Sequence, residues 1–189
     1  MEMASFKIDS ESIISQALQK IGNSVDTGTY IPLETELIEL KDLSTKGDWI
    51  SLKETVCAFL NCDGGMVITG VKERSGNYAV TGYNENNESN LLGLASCFTN
   101  QVNIPLDLSS FIKYEIKTIH DKNVAVIYVR PISDDMKYIK YNTIAFERQL
   151  TQDRRVTEER LILQDEYRKE LEYAKEILPV NTASITDIS

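Results

Sequence analysis

The order of hydrophobic periods along the chain predicts an α+β fold: a mixed β-sheet flanked by helices, with one long helix towards the C-terminal end. Three observations carry that reading. Apolar residues recur at helical spacing near both ends of the sequence. Met66–Val71 is a nearly all-apolar run rich in β-branched residues. Phe111–Ile119 and Val124–Arg130 form two strand-like runs around a polar connector. At 189 residues the chain fits one domain with a sizeable core, since domains commonly hold roughly 100–200 residues. Its parts read as an N-terminal helix and loop over 1–29, a core over 30–155, a C-terminal amphipathic helix over 156–178 and a flexible tail over 179–189.

Ile13, Ile14, Ala17, Leu18 and Ile21 mark the first helix, with Asp9, Ser10 or Ser12 as its cap and Gly22-Asn23 as its end. Leu37–Leu43 is the first strand; two-residue alternation turns Ile38 and Leu40 one way and Leu37, Glu39 and Lys41 the other. Ser51 and Glu54 form a capping box, so the next helix is expected to begin near Ser51. Leu52, Val56, Phe59 and Leu60 give it an apolar stripe, and Gly64-Gly65 stops it near Asn61–Asp63. Met66–Val71 then reads as a strand covered on both faces and central in its sheet, with Tyr78–Gly82 as its hairpin partner.

Asn84–Asn90 is a polar surface loop and Leu91–Asn100 a second core helix, closed by Ile104-Pro105. His120–Asn123 suits a tight hairpin between Phe111–Ile119 and Val124–Arg130, and Pro131, lacking an amide to donate, ends the second strand. Tyr138–Lys140 and Thr143–Phe146 form a shorter hairpin. Leu163, Tyr167, Leu171, Ala174 and Leu178 mark the long helix from Val156 to Leu178, before Pro179. The tail to Ser189 has too little apolar surface to order itself, leaving disorder and docking on a partner both open.

A formal net charge of -9 opposes indiscriminate phosphate binding, so any nucleic-acid site must be a local basic patch. Cys57, Cys62 and Cys97 have no partner at zinc-ligand spacing and read as buried reduced thiols. No apolar run nears the roughly 18–20 residues that span a bilayer, and Met1–Asp9 lacks a signal-peptide core; the expectation is a cytoplasmic protein with no membrane partner. His120, the one histidine, sits in a turn, and no Ser or Cys triad can be argued around it.

The most informative stretch runs from Glu34 to Glu73. It holds Glu34-Thr-Glu-Leu-Ile-Glu39-Leu-Lys41 and then Ala58-Phe-Leu-Asn-Cys-Asp-Gly-Gly65 leading into Met66-Val-Ile-Thr-Gly-Val71. This resembles the Schlafen-type AlbA-like (AlbA_2) domain in a single-lobe form, whose pattern is Glu, four residues, Glu-Phe-Lys, then a Gly-Gly block running into a Gly-Val strand. Leu40 stands where that family has Phe, and Leu60 where Ala is common. The resemblance implies an AlbA-like fold and nucleic-acid handling, with RNA, of tRNA type or single-stranded, as the preferred partner.

It further implies a metal-dependent endoribonuclease site, in which Glu34, Glu39 and Glu73 hold Mg²⁺ or Mn²⁺ and Lys41 offsets developing charge. On a regular strand Glu34 and Glu39 would lie on opposite faces about 17 Å apart, so for both to reach one metal Glu34 must sit in a bend before the strand, for which Pro32 provides. Taken without the family, Glu34 and Glu36 are solvated acids, Glu39–Lys41 an exposed pair and Glu73 a turn residue. No nucleotide cofactor is expected: Gly65–Lys72 lacks the Gly-Lys-Ser/Thr of a P-loop and lies within a strand.

For nucleic acid, Lys137, Lys140, Arg148, Arg154 and Arg155 alternate with Tyr138, Tyr141 and Phe146, and Ala145-Phe-Glu-Arg148 resembles the Arg-bearing hairpin of the family. Lysines on an edge strand that block aggregation are the plainer account of the same residues. A non-catalytic transcriptional regulator or protein-interaction scaffold on this fold is the rival to the enzyme. The stripe on the C-terminal helix suits a homodimer or folding back on its own sheet equally well.

Overall fold

The structure is a computed structural model that describes residues 2–177; Leu178 and the 179–189 tail lie outside the described residues. The chain divides after Val156 into two compact units. In the first, helix α1 (Glu2–Thr27) leads to strand β1 (Ile38–Lys41), helix α2 (Lys46–Asn61) and strands β2 (Gly65–Thr69), β3 (Val71–Glu73) and β4 (Tyr78–Val80). A short helix α3 (Glu88–Leu92) follows, then β5 (Ile112–Ile119), β6 (Lys122–Val129), β7 (Lys140–Tyr141), β8 (Ile144–Gln149) and β9 (Gln152–Arg155).

Four strands form the central mixed sheet in the order β1-β2-β6-β5. β1 and β2 are parallel, with Glu39 opposite Val67, and α2 is their crossover; β6 runs antiparallel to both β2 and β5. Each buried strand feeds two cores by alternation. Met66, Ile68, Val124 and Val126 join Ile38, Leu40 and the α1 residues Ile14, Ala17 and Ile21 on one face. Val67, Ala125, Ile127 and Val129 join Val56, Phe59 and Leu60 of α2 with Ile139 and Phe146 on the other. The expected central strand, covered on both faces, is therefore β2. The β7-β8-β9 sheet lies against α2.

Several boundaries move for physical reasons. α1 begins well before Ser10 and runs through Gly22 to Thr27; Gly28, at φ +69°, ends it. α2 starts at Lys46 because the capping box is Thr45 with Asp48, not Ser51 with Glu54. The Met66–Val71 run splits at Gly70 (φ +76°), so Tyr78–Val80 pairs with Val71–Glu73 and not with the central strand. The expected Leu91–Asn100 helix is broken: α3 precedes a 3₁₀ turn at Leu94–Ser96, and Thr99 exchanges backbone hydrogen bonds with Lys140. β9 is a strand the sequence reading missed.

The second unit carries helix α4 (Glu158–Ile177), none of whose residues is buried. The amide of Arg160 meets Thr157 Oγ1 at 3.4 Å in its first turn, and Asp165 pairs with Lys169 at 2.7 Å and with Arg168.

Candidate functional site

Alternation on β1 sends Ile38 and Leu40 into the α1-side core and Glu39 and Lys41 to the opposite face, as the spacing predicts. Glu39 is buried there at 8 % exposure. Its two oxygens are divided between two cations: Lys41 Nζ lies 2.7 Å from Oε1, and Arg148 Nη2 lies 2.7 Å from Oε2. Arg148, on β8, is more deeply buried still, its side chain 3 % exposed. Its Nη1 donates to Asp153 Oδ1 at 2.8 Å and its Nη2 also to the Thr35 carbonyl at 3.1 Å, while Thr55 of α2 donates to Asp153 Oδ2 at 2.5 Å. Burial works against the charge on Arg148, but Asp153 and Glu39 outweigh it and hold the guanidinium above its ordinary pKa. Removing one partner from such a buried set typically costs about 3–5 kcal/mol, because the other charge is left uncompensated.

The glycine turn reaches this cluster through one ring. A Cβ on Gly65 would stand 2.6 Å from the Phe59 ring, so only glycine lets β2 and α2 approach this closely, and the Arg148 guanidinium lies 5.2 Å from the centroid of the same ring. Asn61 ties the end of α2 to the C-terminal hairpins: its Nδ2 donates to the Ile139 and Phe146 carbonyls at 2.9 Å, and its Oδ1 accepts from the Ile139 amide at 2.8 Å. Gly64-Gly65 and Asn61 thus serve the fold.

Glu34 precedes a bend at Glu36 and Leu37 that leads into β1; the bend is not at Pro32. Thr35 makes the bend, its amide donating to the Ile38 carbonyl at 3.0 Å and its hydroxyl accepting from the Leu37 and Ile38 amides. Glu34 folds back to accept from the Leu40 amide at 3.4 Å. Burial, then the nearby Glu39 charge, hold its carboxyl above the usual range; Glu73 adds to this, while the Leu40 amide and Lys41 oppose it. Glu73 is exposed at the end of β3 and accepts from the Tyr30 hydroxyl at 2.7 Å.

Residues 34–157, well over half of the chain, match the family described as Schlafen, AlbA_2. The chain belongs to this family. Among solved structures it resembles the DIP2311 protein from Corynebacterium diphtheriae, with a TM-score of 0.57 and 12 % identity over 88 % of this chain and 34 % of that one. The likeness is one of fold, and the chain spans about a third of that protein's length. The N-terminal domain of a putative ATP-dependent DNA helicase RecG-related protein from Nitrosomonas europaea matches at TM-score 0.46 and 19 % identity, over 74 % of this chain and 93 % of that one. No curated protein matches the sequence.

The AlbA_2 carboxylates Glu34, Glu39 and Glu73 are thus electrostatic neighbours, yet each is engaged elsewhere. Among the described residues no group of three or more His, Cys, Asp and Glu side chains is placed to hold a metal ion. With Glu39 shared by two cations and Glu73 turned to Tyr30, the donor set does not fit Mg²⁺ or Mn²⁺ in this arrangement.

The five basic residues separate. Arg148 is spent on Glu39 and Asp153 and is not a surface cation. Lys137 pairs with Asp134 at 2.9 Å, and Lys140 donates to the Gln101 carbonyl at 2.7 Å. Arg154 and Arg155 are exposed on β9, where strand alternation points them to opposite faces; Arg154 contacts Gln152 at 3.1 Å. Of the three thiols expected to be buried only Cys57 is, Cys62 and Cys97 being half-buried; Cys57 lies against the Ile139 carbonyl at 3.3 Å, and burial pushes its thiol up to about 12. His120 is exposed in the β5–β6 turn.

Sequence reasoning missed a cleft of about 890 Å³ at the carboxyl ends of β1 and β2. Trp49, Lys46 and Lys53 of α2 line it together with Tyr83 and Tyr141. Its only sequence signal was Trp49, one turn into a helix whose start had been placed too late.

Proposed function

We propose that this chain is a nucleic-acid-binding domain that prefers RNA, of tRNA type or single-stranded, over duplex DNA. The observation that carries the reading is the exposed Arg154–Arg155 end of the β8–β9 hairpin in a chain of the Schlafen AlbA_2 family. At net charge -9 the molecule repels a polyanion as a whole, so binding rests on few local contacts and suits a short single strand better than a long duplex. Anisotropy of labelled tRNA, single-stranded RNA and duplex DNA tests it at two salt concentrations. The doubly substituted Arg154→Ala/Arg155→Ala chain is expected to bind RNA more weakly. Its salt slope should fall by about one unit or less per lost phosphate contact. Equal affinity and slope in the two chains would remove the hairpin from the interface.

Cleavage is a separate step beyond binding. The pairing of Glu39 with both Lys41 and Arg148 favours the rival reading, a non-catalytic regulator or scaffold. Incubating the chain with tRNA and Mn²⁺, beside Glu39→Ala, decides between them: intact RNA in both supports the rival, and products from the unsubstituted chain alone support a metal-dependent endoribonuclease using Glu34, Glu39, Lys41 and Glu73.

A further inference from the structure

The cleft at the carboxyl ends of β1 and β2 shares no lining residue with the carboxylate cluster or with the basic residues discussed above. Its position follows from topology. β1, α2 and β2 form a parallel βαβ unit, and crevices beyond the carboxyl ends of parallel strands are where ligands reach such sheets. Asp42 and Leu43 leave β1 there, Thr69 and Gly70 close β2, and Thr45 and Lys46 begin α2. Gly70 is part of the shaping: at φ +76° it lets the backbone turn, and a Cβ would come within 2.6 Å of the backbone of Gly82, which lines the same cleft.

The lining has a definite chemistry. Trp49 and Tyr83 are partly buried, packed against the core on one side while lining the cleft on the other, so their rings are held before any ligand arrives. Lys53 Nζ stands 5.7 Å from the Tyr141 ring centroid, and Lys46 lies exposed one turn before Trp49. Asn87, Asn90 and Asn142 add carboxamides, each carrying donors and an acceptor. Asp42 is the single acid of the lining, and its oxygens are taken: Oδ2 by Ser44 at 2.7 Å and Lys72 at 3.2 Å, Oδ1 by Thr81 at 2.7 Å. An anion at Lys46 and Lys53 therefore meets a carboxylate already neutralised by Lys72, in a molecule otherwise strongly negative.

We propose that this cleft seats an unpaired base of a single-stranded nucleic acid, the base stacking on Trp49 and Tyr83 and the flanking phosphates lying at Lys46 and Lys53. Ring faces stack on any base, amides reach base edges, and the two lysines carry the backbone contact. The volume of about 890 Å³ is within the roughly 300–1,000 Å³ of small-ligand sites, enough for one nucleotide and its neighbour's phosphate. This inference rests on the nucleic-acid reading above and names the subsite that reading lacks.

Trp49 is the only tryptophan of the chain, so its emission reports the cleft alone. The test titrates an unstructured ten-nucleotide RNA, the same backbone without bases, a mononucleotide and inorganic phosphate, following Trp49 emission and the anisotropy of the labelled RNA together. The RNA is expected to quench Trp49 and the abasic strand and phosphate to leave it unchanged. Trp49→Ala should weaken binding about fivefold or more, the scale of one lost stacking contact, while Trp49→Phe retains most of the affinity. Lys46→Gln, at an exposed position that leaves the core intact, should flatten the salt dependence. RNA that binds by anisotropy without altering Trp49 emission, and equally well to Trp49→Ala and Lys46→Gln, overturns this subsite and leaves the nucleic-acid reading standing. Absence of any binding removes both, and a mononucleotide that binds as tightly as the strand overturns the strand occupant.

Discussion

Glu34 shows how one residue's protonation is set by where a bend places it. The folded chain holds its carboxyl above the ordinary glutamate range, through burial first and the Glu39 charge second, so the folded state binds that proton more tightly than the unfolded state does. Between the two values the folded chain keeps a proton that the unfolded chain releases. Stability therefore falls as pH rises through that window, and the cost is complete above the folded value. Glu34→Gln keeps the acceptor for the Leu40 amide and removes the charge. It is expected to raise Tm at about pH 8, with the gain vanishing towards about pH 4, near the ordinary glutamate value. Thermal scans at the two pH values check it, and an equal gain at both would detach the effect from the carboxyl charge. The face of Glu39 was legible because strand alternation is local. Its main partner was not, since Arg148 is 109 positions away and nothing local in either segment marks the pairing.

At the scale of elements, what had a local signature was readable and what depended on a neighbour was not. The β5–β6 hairpin, the β2 run and the end of α2 were all visible in period and turn chemistry. α2 was started too late because Ser51–Glu54 and Thr45–Asp48 both satisfy the capping pattern; the structure uses the earlier pair, with the Asp48 amide 3.2 Å from Thr45 Oγ1. β9, Gln-Asp-Arg-Arg, has no apolar residue to betray a strand, and exists because it pairs with β8. The 91–100 helix gave way to pairing between Thr99 and Lys140, a contact no window of sequence contains. Gly65→Ala tests the closest of the visible joints: its methyl group meets the buried Phe59 ring, and urea unfolding should register a loss of about 1–3 kcal/mol from overpacking. Unchanged stability would mean that α2 can retreat from β2 freely.

For the whole molecule, charge and the C-terminal unit set the terms. No helix among the described residues is long and apolar enough to cross a membrane. α4 leaves Ile162, Leu163, Tyr167, Tyr173 and Ile177 exposed, and self-association through this helix is the outcome expected at micromolar concentration. Sedimentation of the full chain against one lacking residues 157–189 measures it: a dimer that becomes a monomer on deletion fits, whereas monomers in both exclude the helix as an interface. The family match spans 34–157 and so includes both ends of the Glu39–Arg148 pair. That pair has a consequence for a chain made from its N-terminus. While the ribosome is still adding residues before Arg148, β1 carries a carboxylate with only Lys41 beside it, and burial of that strand is opposed. The β8–β9 hairpin supplies the counter-charge, so a chain cut before Arg148 is expected to bury β1 less firmly than the full chain.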